Sequence, residues 1–309
     1  MPLIMMRSGY LSLLSCFIFT GVSLNCMAHA EISAVRTGSK IDVYINNSLF
    51  TSYIFSQEEK YPFFFPVNGP SGASVTSMRN SNFPHHSSLF FGCDHVNGGN
   101  YWQEGTERGR IASLREDIIE DRGERVVIEN ECIWTRPGAV SPIRDFRKIT
   151  ISAPENDIFL IDFYVVLEML EDVTIDRTNH SLFSARMDPD LAVVNGGTMI
   201  NAEGDTGEKG TFGKSSDWID YHGARMGKTE GMAIMQHPDN RWYPAPWFTR
   251  DYGFFSPTPM YWPEDPELGT FLKKGEKVHL RYRVVVHSGD HNEAGIRGYF
   301  EKFKSEDFR

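Results

Sequence analysis

Residues 159–168 read Phe159-Leu160-Ile161-Asp162-Phe163-Tyr164-Val165-Val166-Leu167-Glu168, and a second stretch of the same kind, Val278 to His287, lies near the C-terminus. Both are rich in β-branched and aromatic residues and too evenly apolar to leave either side in water, which predicts strands inside a sheet rather than at its edge. Working outward, Ile41, Val43 and Ile45 alternate with polar residues, and Arg125–Trp134 and Arg147–Ser152 are further short apolar runs. Glycine and proline punctuate these runs. Strands of this number and spacing predict an all-β chain, a large antiparallel β-sandwich with few short helices.

One segment reads as helix. Ile296, Tyr299, Phe300 and Phe303 fall on one helical face, after Asp290 as a candidate N-cap with Glu293 three residues on. This C-terminal helix is expected to lay its aromatic stripe on a sheet. No repeat, low-complexity tract or linker interrupts the chain, so residues 31–309 are read as a single domain.

Residues 1–30 have the form of a secretory signal peptide, with Arg7, an apolar stretch from about Leu11 to Leu24, and the small-x-small ending Ala28-His29-Ala30. Cleavage is expected after Ala30, placing the protein in the periplasm or outside the cell. Lipid attachment through Cys26 is the alternative. Nothing after Ile32 is apolar for long enough to span a membrane as a helix. The 309 residues carry a formal net charge of −10, and Lys and Arg are dispersed, so nucleic acid is not an expected partner. Four cysteines are present, of which Cys16 and Cys26 would leave with the leader. Cys93 and Cys132 remain, as two buried thiols or as one bridge.

Chemistry-bearing residues gather in three places. The first is the run Pro84-His85-His86-Ser87-Ser88-Leu89-Phe90-Phe91-Gly92-Cys93-Asp94-His95-Val96-Asn97-Gly98-Gly99-Asn100-Tyr101-Trp102, with three of the ten histidines. Imidazole titrates nearest neutrality, so proton transfer is looked for here first. On a strand His85 and His86 face opposite ways, so only one is expected to look into a given pocket.

The second runs from Asn179 to Arg186, followed by Asn201–Gly204 and Gly207–Lys214. On an extended strand His180, Leu182, Ser184 and Arg186 share a face, aiming an imidazole and a guanidinium together at a hydroxylated or anionic ligand. The third holds Trp218-Ile219-Asp220-Tyr221, His237-Pro238 and Pro246–Phe255, where aromatic residues alternate with Arg250 and Asp251. Aromatic faces beside charged hydrogen-bonding groups suit a sugar ring, although Trp247, Phe248, Tyr252 and Phe254 also suit a core. Glu131, Glu203, Glu208, Asp220 and Asp251 are the carboxylates available for acid and base roles. There is no Gly-x-Ser-x-Gly elbow, no His-Glu-x-x-His helix and no phosphate-cradling glycine loop.

Taken in order, the histidine run ending in Val96-Asn97-Gly98, Asn179-His180 to Arg186, Gly207-Glu208-Lys209 to Lys214, Asp220-Tyr221, Gly231–Ile234 to His237-Pro238, and Trp247 to Gly253 resemble the bacterial family labelled methane oxygenase PmoA. The resemblance spans nearly all of residues 31–309. It implies a β-sandwich of the galactose mutarotase-like kind and a role in carbohydrate degradation, with a histidine and a carboxylate as acid and base. Ser87-Ser88 stands where that family more often has Arg-Gly, and Cys93 and His95 also depart from its pattern. The label names a copper-bound membrane subunit, and without a spanning segment here no monooxygenase activity follows.

The expectation is thus a carbohydrate-active enzyme acting by hydrolysis, elimination or epimerisation. His85, His86 and His180 would move protons, with Glu208 or Asp251 as carboxylate partner. Asn97, Arg186, Lys214, Tyr221, His237, Trp247, Arg250 and Tyr252 would contact substrate. No cofactor is required by this reading. The alternatives are a glycan-binding protein without catalysis, or a metalloprotein in which His85 or His86, His180 and His237 hold one divalent ion.

Overall fold

The computed structural model describes residues 30–306. The expected leader lies, except for Ala30, outside the described residues. No helix among them is long and apolar enough to cross a membrane.

Two antiparallel sheets carry the fold. The first has nine strands in the spatial order Trp247–Arg250, Phe254–Pro257, Ser181–Arg186, Leu89–Cys93, Phe63–Val67, Ser48–Ile54, Lys40–Ile45, Ile32–Thr37, Arg122–Gly123. The second has eight, in the order Thr198–Asn201, Trp218–Arg225, Lys228–Gln236, Lys277–Ser288, Ile158–Met169, Ile143–Glu155, Arg125–Thr135, Arg110–Glu120. The two evenly apolar stretches pair with each other at the centre of the second sheet, Phe163 opposite Tyr282. Edge strands could not bury such sequences on both flanks, which is why the pattern was decisive.

The inner faces meet in one core. Phe50 packs edge-on against Phe159 with ring centres 5.2 Å apart, Phe91 lies 5.8 Å from Phe163, and Phe183 stacks on Tyr282 at 5.0 Å. Each fully buried ring of this kind stabilises the sandwich by roughly 1.5–3 kcal/mol. Cys93 on the first sheet and Cys132 on the second are both buried and free, so the thiol alternative holds and the bridge does not.

The helix Ile296–Phe303 lies on the outer face of the second sheet, where Ile296, Tyr299, Phe300 and Phe303 cover Ile158, Leu160, Trp218, Met235 and Val285. Asp290 does cap, with Oδ1 accepting from the amides of Asn292 and Glu293 at 2.8 and 2.9 Å, and Glu293 Oε2 accepts in turn from the Asp290 amide at 3.0 Å. That box closes a turn ahead of the helix. The helix itself starts after Gly295, whose φ of 64° is left-handed and suits glycine.

The long segments 195–216 and 238–267 are less irregular than their polarity suggests. They supply edge strands to both sheets and the one-turn helix Gly207–Thr211.

Candidate active site

A two-stranded ribbon, Met78–Asn80 with Phe83–Ser87, packs beside the strand Ser181–Arg186 of the first sheet. Asn80 Oδ1 turns the ribbon by accepting from the Phe83 amide at 2.9 Å. Arg186 is fixed through its backbone, its amide donating to Ser88 O at 2.7 Å and its carbonyl accepting from the Ser77 amide at 2.9 Å.

Within this ribbon His85 and His86 do not diverge as expected. Their ring centres are 4.5 Å apart, edge to face. A short ribbon with a register shift between Met78 and Asn80 is not the flat pleat that separates successive side chains. His86 stacks on Phe83 at 5.0 Å and on Phe254 at 4.8 Å, with the edge of Trp102 5.7 Å away. Burial foremost, then the charges of His85, Arg186 and His180, pushes the His86 pKa down to about 2. His86 is therefore a neutral ring at any ordinary pH. His85, half-buried, is lowered too, by burial and then by His180.

His180 stands 6.1 Å from His85 and 4.5 Å from Trp102 between ring centres. Its Nδ1 lies 3.0 Å from Oδ2 of Asp94, a residue 1 % exposed that also accepts from Thr178 Oγ1 and, at 3.2 Å, from Gln103 Nε2. Strand pairing makes the contact, since Ser181 is opposite Cys93 and the Asp94 amide donates to the His180 carbonyl at 3.1 Å. A carboxylate at Nδ1 selects the tautomer with its proton there, which leaves Nε2 as the acceptor. The imidazole side chain is 22 % exposed, so that acceptor can be reached.

Arg186 is 5 % exposed, yet its Nε and Nη1 have no hydrogen-bond partner among the described residues. Its guanidinium lies over Phe83 at 4.8 Å and over Tyr252 at 4.5 Å. The same is true of His86 Nδ1 and Trp102 Nε1, which are buried and unpartnered in the same ring cluster. Buried polar atoms are rarely left so, and several together mark a place built to receive another polar group. Burial raises the Tyr252 hydroxyl, keeping it protonated and able to donate.

The other expected site residues divide. Glu208, Arg250 and Asp251 form a knot: Arg250 Nη1 meets Glu208 Oε1 at 3.1 Å, the Glu208 amide donates to Asp251 Oδ1 at 2.7 Å, and the Asp251 amide donates to Glu208 Oε2 at 3.2 Å. Arg250 also covers Phe248 at 4.0 Å. This knot adjoins the cluster through Tyr252, on which Arg250 and Glu208 both act electrostatically. Its carboxylates are already engaged.

The remaining five positions have other work: Lys214 is exposed and paired with Asp205 at 2.9 Å. Asn97 holds its own loop, bonding Glu171, the Asp172 carbonyl and the Thr174 amide. Trp247 is wholly buried and donates to Ser216 O at 2.9 Å, and Tyr221 is a core ring whose hydroxyl donates to Asp251 O at 3.0 Å. His237 sits on the second sheet against Phe303, with ring centres 5.0 Å apart. The histidine trio imagined for a metal therefore does not assemble, because His237 belongs to the other sheet. Asp94, Phe83 and Trp102 were missed as partners, although Asp94 and Trp102 stand in the histidine run itself.

Of the other polar places among the described residues, two stand out. A groove of about 410 Å³ on the outer face of the second sheet runs past Glu120, Arg125, Asp162, Arg281 and Glu306. Much of its charge is already paired, Arg125 with Glu120 inside the groove and Arg281 with Asp239 beyond it. Asp220, His222 and His291 bring one ligand atom each to within 4.8 Å of one another, a set able to hold a metal ion. Neither brings a reachable imidazole together with an unpartnered buried guanidinium, so the histidine cluster is the candidate active site.

A family model described as "Family of unknown function (DUF6807)" matches residues 40–301. The match shows a family of unknown function and does not by itself show the methane-oxygenase label that the ordered motifs resemble. No curated protein matches the sequence. Among solved structures, the chain is similar to a polysaccharide lyase with 10 % identity and a TM-score of 0.33, covering 89 % of this chain and 34 % of that one. It is also similar to a protein provisionally described as a kojibiose phosphorylase from the human microbiome, at 7 % identity and TM-score 0.33, over 64 % and 26 % of the two chains. A protein provisionally described as an aldose 1-epimerase from Escherichia coli K12 matches at 10 % identity and TM-score 0.32, over 84 % and 98 %. The chain thus spans about a third and a quarter of the first two. Likenesses this distant leave the side chains as the guide to the site.

Proposed function

The chain belongs to DUF6807, a family of unknown function, so its activity has to be read from its own residues, and we propose that it is a carbohydrate-active enzyme that abstracts a proton beside a sugar carboxylate. One observation carries the reading: the guanidinium of Arg186, buried and with Nε and Nη1 unpartnered, lies in one ring cluster with the reachable imidazole of His180 held by Asp94. A guanidinium left this way suits a planar anion such as a uronate. Neutralising that carboxylate acidifies the carbon next to it.

His180 Nε2 takes the proton from that carbon, and Asp94 stabilises the imidazolium that forms. The electron pair left behind forms the new double bond as the bond to the leaving oxygen breaks, and the Tyr252 hydroxyl protonates that oxygen. Protonation of that carbon from the opposite face by the Tyr252 hydroxyl, with the bond to the leaving oxygen kept, would give epimerisation instead. Hydrolysis with paired carboxylates is less favoured, because Glu208 and Asp251 are occupied by Arg250 and by backbone amides. The neutral His86 serves as wall and hydrogen-bonding group and carries no proton through the cycle. The leader-like first thirty residues support export to where such polymers are found.

The test is incubation of the mature protein with uronate-containing and neutral glycans, following absorbance of unsaturated products together with new reducing ends. Unsaturated product from uronates, lost in His180→Ala with folding retained, is the expected result. Product from neutral glycans alone, or full activity in His180→Ala, would overturn the assignment.

A further inference from the structure

On the outer face of the second sheet, Asp220 and His222 point the same way from the strand Trp218–Arg225, two residues apart. His287, two strands along, reaches the same carboxylate: its Nε2 is 2.7 Å from Asp220 Oδ2. Two strand spacings are roughly 9.6 Å, so this reach needs small residues between. The intervening strand supplies them, with Gly231 opposite both His222 and His287 and Ala233 opposite Asp220. A Cβ at Gly231 would come within 2.5 Å of the Tyr221 carbonyl and of His222 Cβ.

The fourth group arrives from the turn that precedes the C-terminal helix. His291 stacks on His222 with ring centres 5.8 Å apart, and its Nδ1 is buried with no hydrogen-bond partner among the described residues. The capping box of Asp290 and Glu293 holds this turn, and the Ile296 amide donates to the His291 carbonyl at 3.0 Å. The imidazole is thus set in place by contacts that owe nothing to a ligand. A cavity of about 260 Å³ bordered by His291, Trp218 and Glu203 gives access.

We propose that Asp220, His222 and His291 bind one divalent first-row transition ion, zinc being the best match, and that the ion fastens this turn to the second sheet. Two imidazoles and a carboxylate are a ligand set suited to such ions. His287, donating to the other carboxylate oxygen, is the outer partner that orients Asp220. Asp220 Oδ1 and His222 Nδ1 stand 2.5 Å apart and would separate to about 3.4 Å around zinc with ~2.1 Å bonds. The site lies on the other sheet from the histidine cluster and does not depend on the activity assigned there.

The experiment strips the full chain of metal, titrates it with zinc and reads bound zinc per chain together with the thermal transition. One equivalent and a raised transition are expected, with affinity about 100-fold or more weaker in His291→Gln and unchanged in His85→Ala. No binding by the parent chain, equal affinity in His291→Gln, or zinc lost with His85→Ala would each overturn the proposal. Should His291→Gln not fold, cobalt in the parent chain decides: intense visible bands of a low-coordinate nitrogen-oxygen site support it, and the weak spectrum of the hydrated ion overturns it.

Discussion

His180 Nδ1 and Asp94 Oδ2 are 3.0 Å apart, joining a partly exposed imidazole to a carboxylate that is 1 % exposed. Each comes from the end of a different strand, and the pairing of Ser181 with Cys93 brings them together. Thr178 and Gln103 supply the carboxylate's other bonds, so its orientation does not depend on the histidine.

If Asp94 serves to fix the tautomer and stabilise the imidazolium, Asp94→Asn should keep the fold and remove most of the rate. A loss of roughly 10²- to 10⁴-fold in kcat is expected, with KM little changed. Kinetics of the variant on whichever uronate is turned over checks this. A kcat within threefold of the parent would show that the pair is structural.

Arg186 gives a separate prediction because it reads charge rather than moving a proton. Arg186→Met keeps a long apolar stem between Phe83 and Tyr252 and removes the donors. Binding of an acidic oligosaccharide, followed calorimetrically, should weaken by about 10- to 100-fold, while affinity for the neutral counterpart changes little. Equal losses for both ligands would mean that Arg186 supports the wall and does not select the anion.

How much of this was readable in the sequence depends on the kind of signal. Phe159–Glu168 and Val278–His287 announced central strands because burial on both sides leaves a mark in every residue. His85, His86, His180, Arg186 and Tyr252 were legible by chemical type. Asp94 was not, since an aspartate after Gly92-Cys93 also reads as an ordinary turn residue, and its role comes from a cross-strand partner. Trp247, Tyr221 and His237 have the right chemistry and the wrong place: two are core rings on the inner face and one belongs to the second sheet. Asp220, His222, His287 and His291 meet across a strand made narrow by Gly231 and Ala233, a relation that no local spacing records.

Stability should fall on the acid side because of His86. The unfolded chain protonates this imidazole below about pH 6.5, whereas the folded one, held down to about 2, stays neutral. The unfolded state then binds the extra proton, so stability declines as pH drops below 6.5, by about 2 kcal/mol at pH 5 from this group. The groups facing His86 are His85, His180 and Arg186, none of which offers it a negative charge, together with the rings of Phe83, Trp102 and Phe254. His86→Phe should therefore narrow the difference in unfolding free energy between pH 7.5 and pH 5 by about that amount in urea titrations. An unchanged difference would place the acid sensitivity elsewhere, with His85 the next group to replace.

Deep in the sandwich, Arg147 Nε meets Asp145 Oδ1 at 2.7 Å, both side chains being fully buried. Nη2 closes a second bond to Oδ2 at 3.1 Å, Trp134 Nε1 donates to the same oxygen at 2.7 Å, and Phe91 and Phe163 flank the guanidinium. The pair faces inward from one strand two residues apart, so neither partner can swing to water. Removing one charge strands the other in an apolar interior. Arg147→Met should thus destabilise the fold by about 3–5 kcal/mol, whereas Asp145→Asn combined with Arg147→Met should recover a large part of that loss. The four chains of this cycle, unfolded in urea, measure the coupling directly. Additive losses in the double variant would mean that the two charges are not coupled and would overturn this reading.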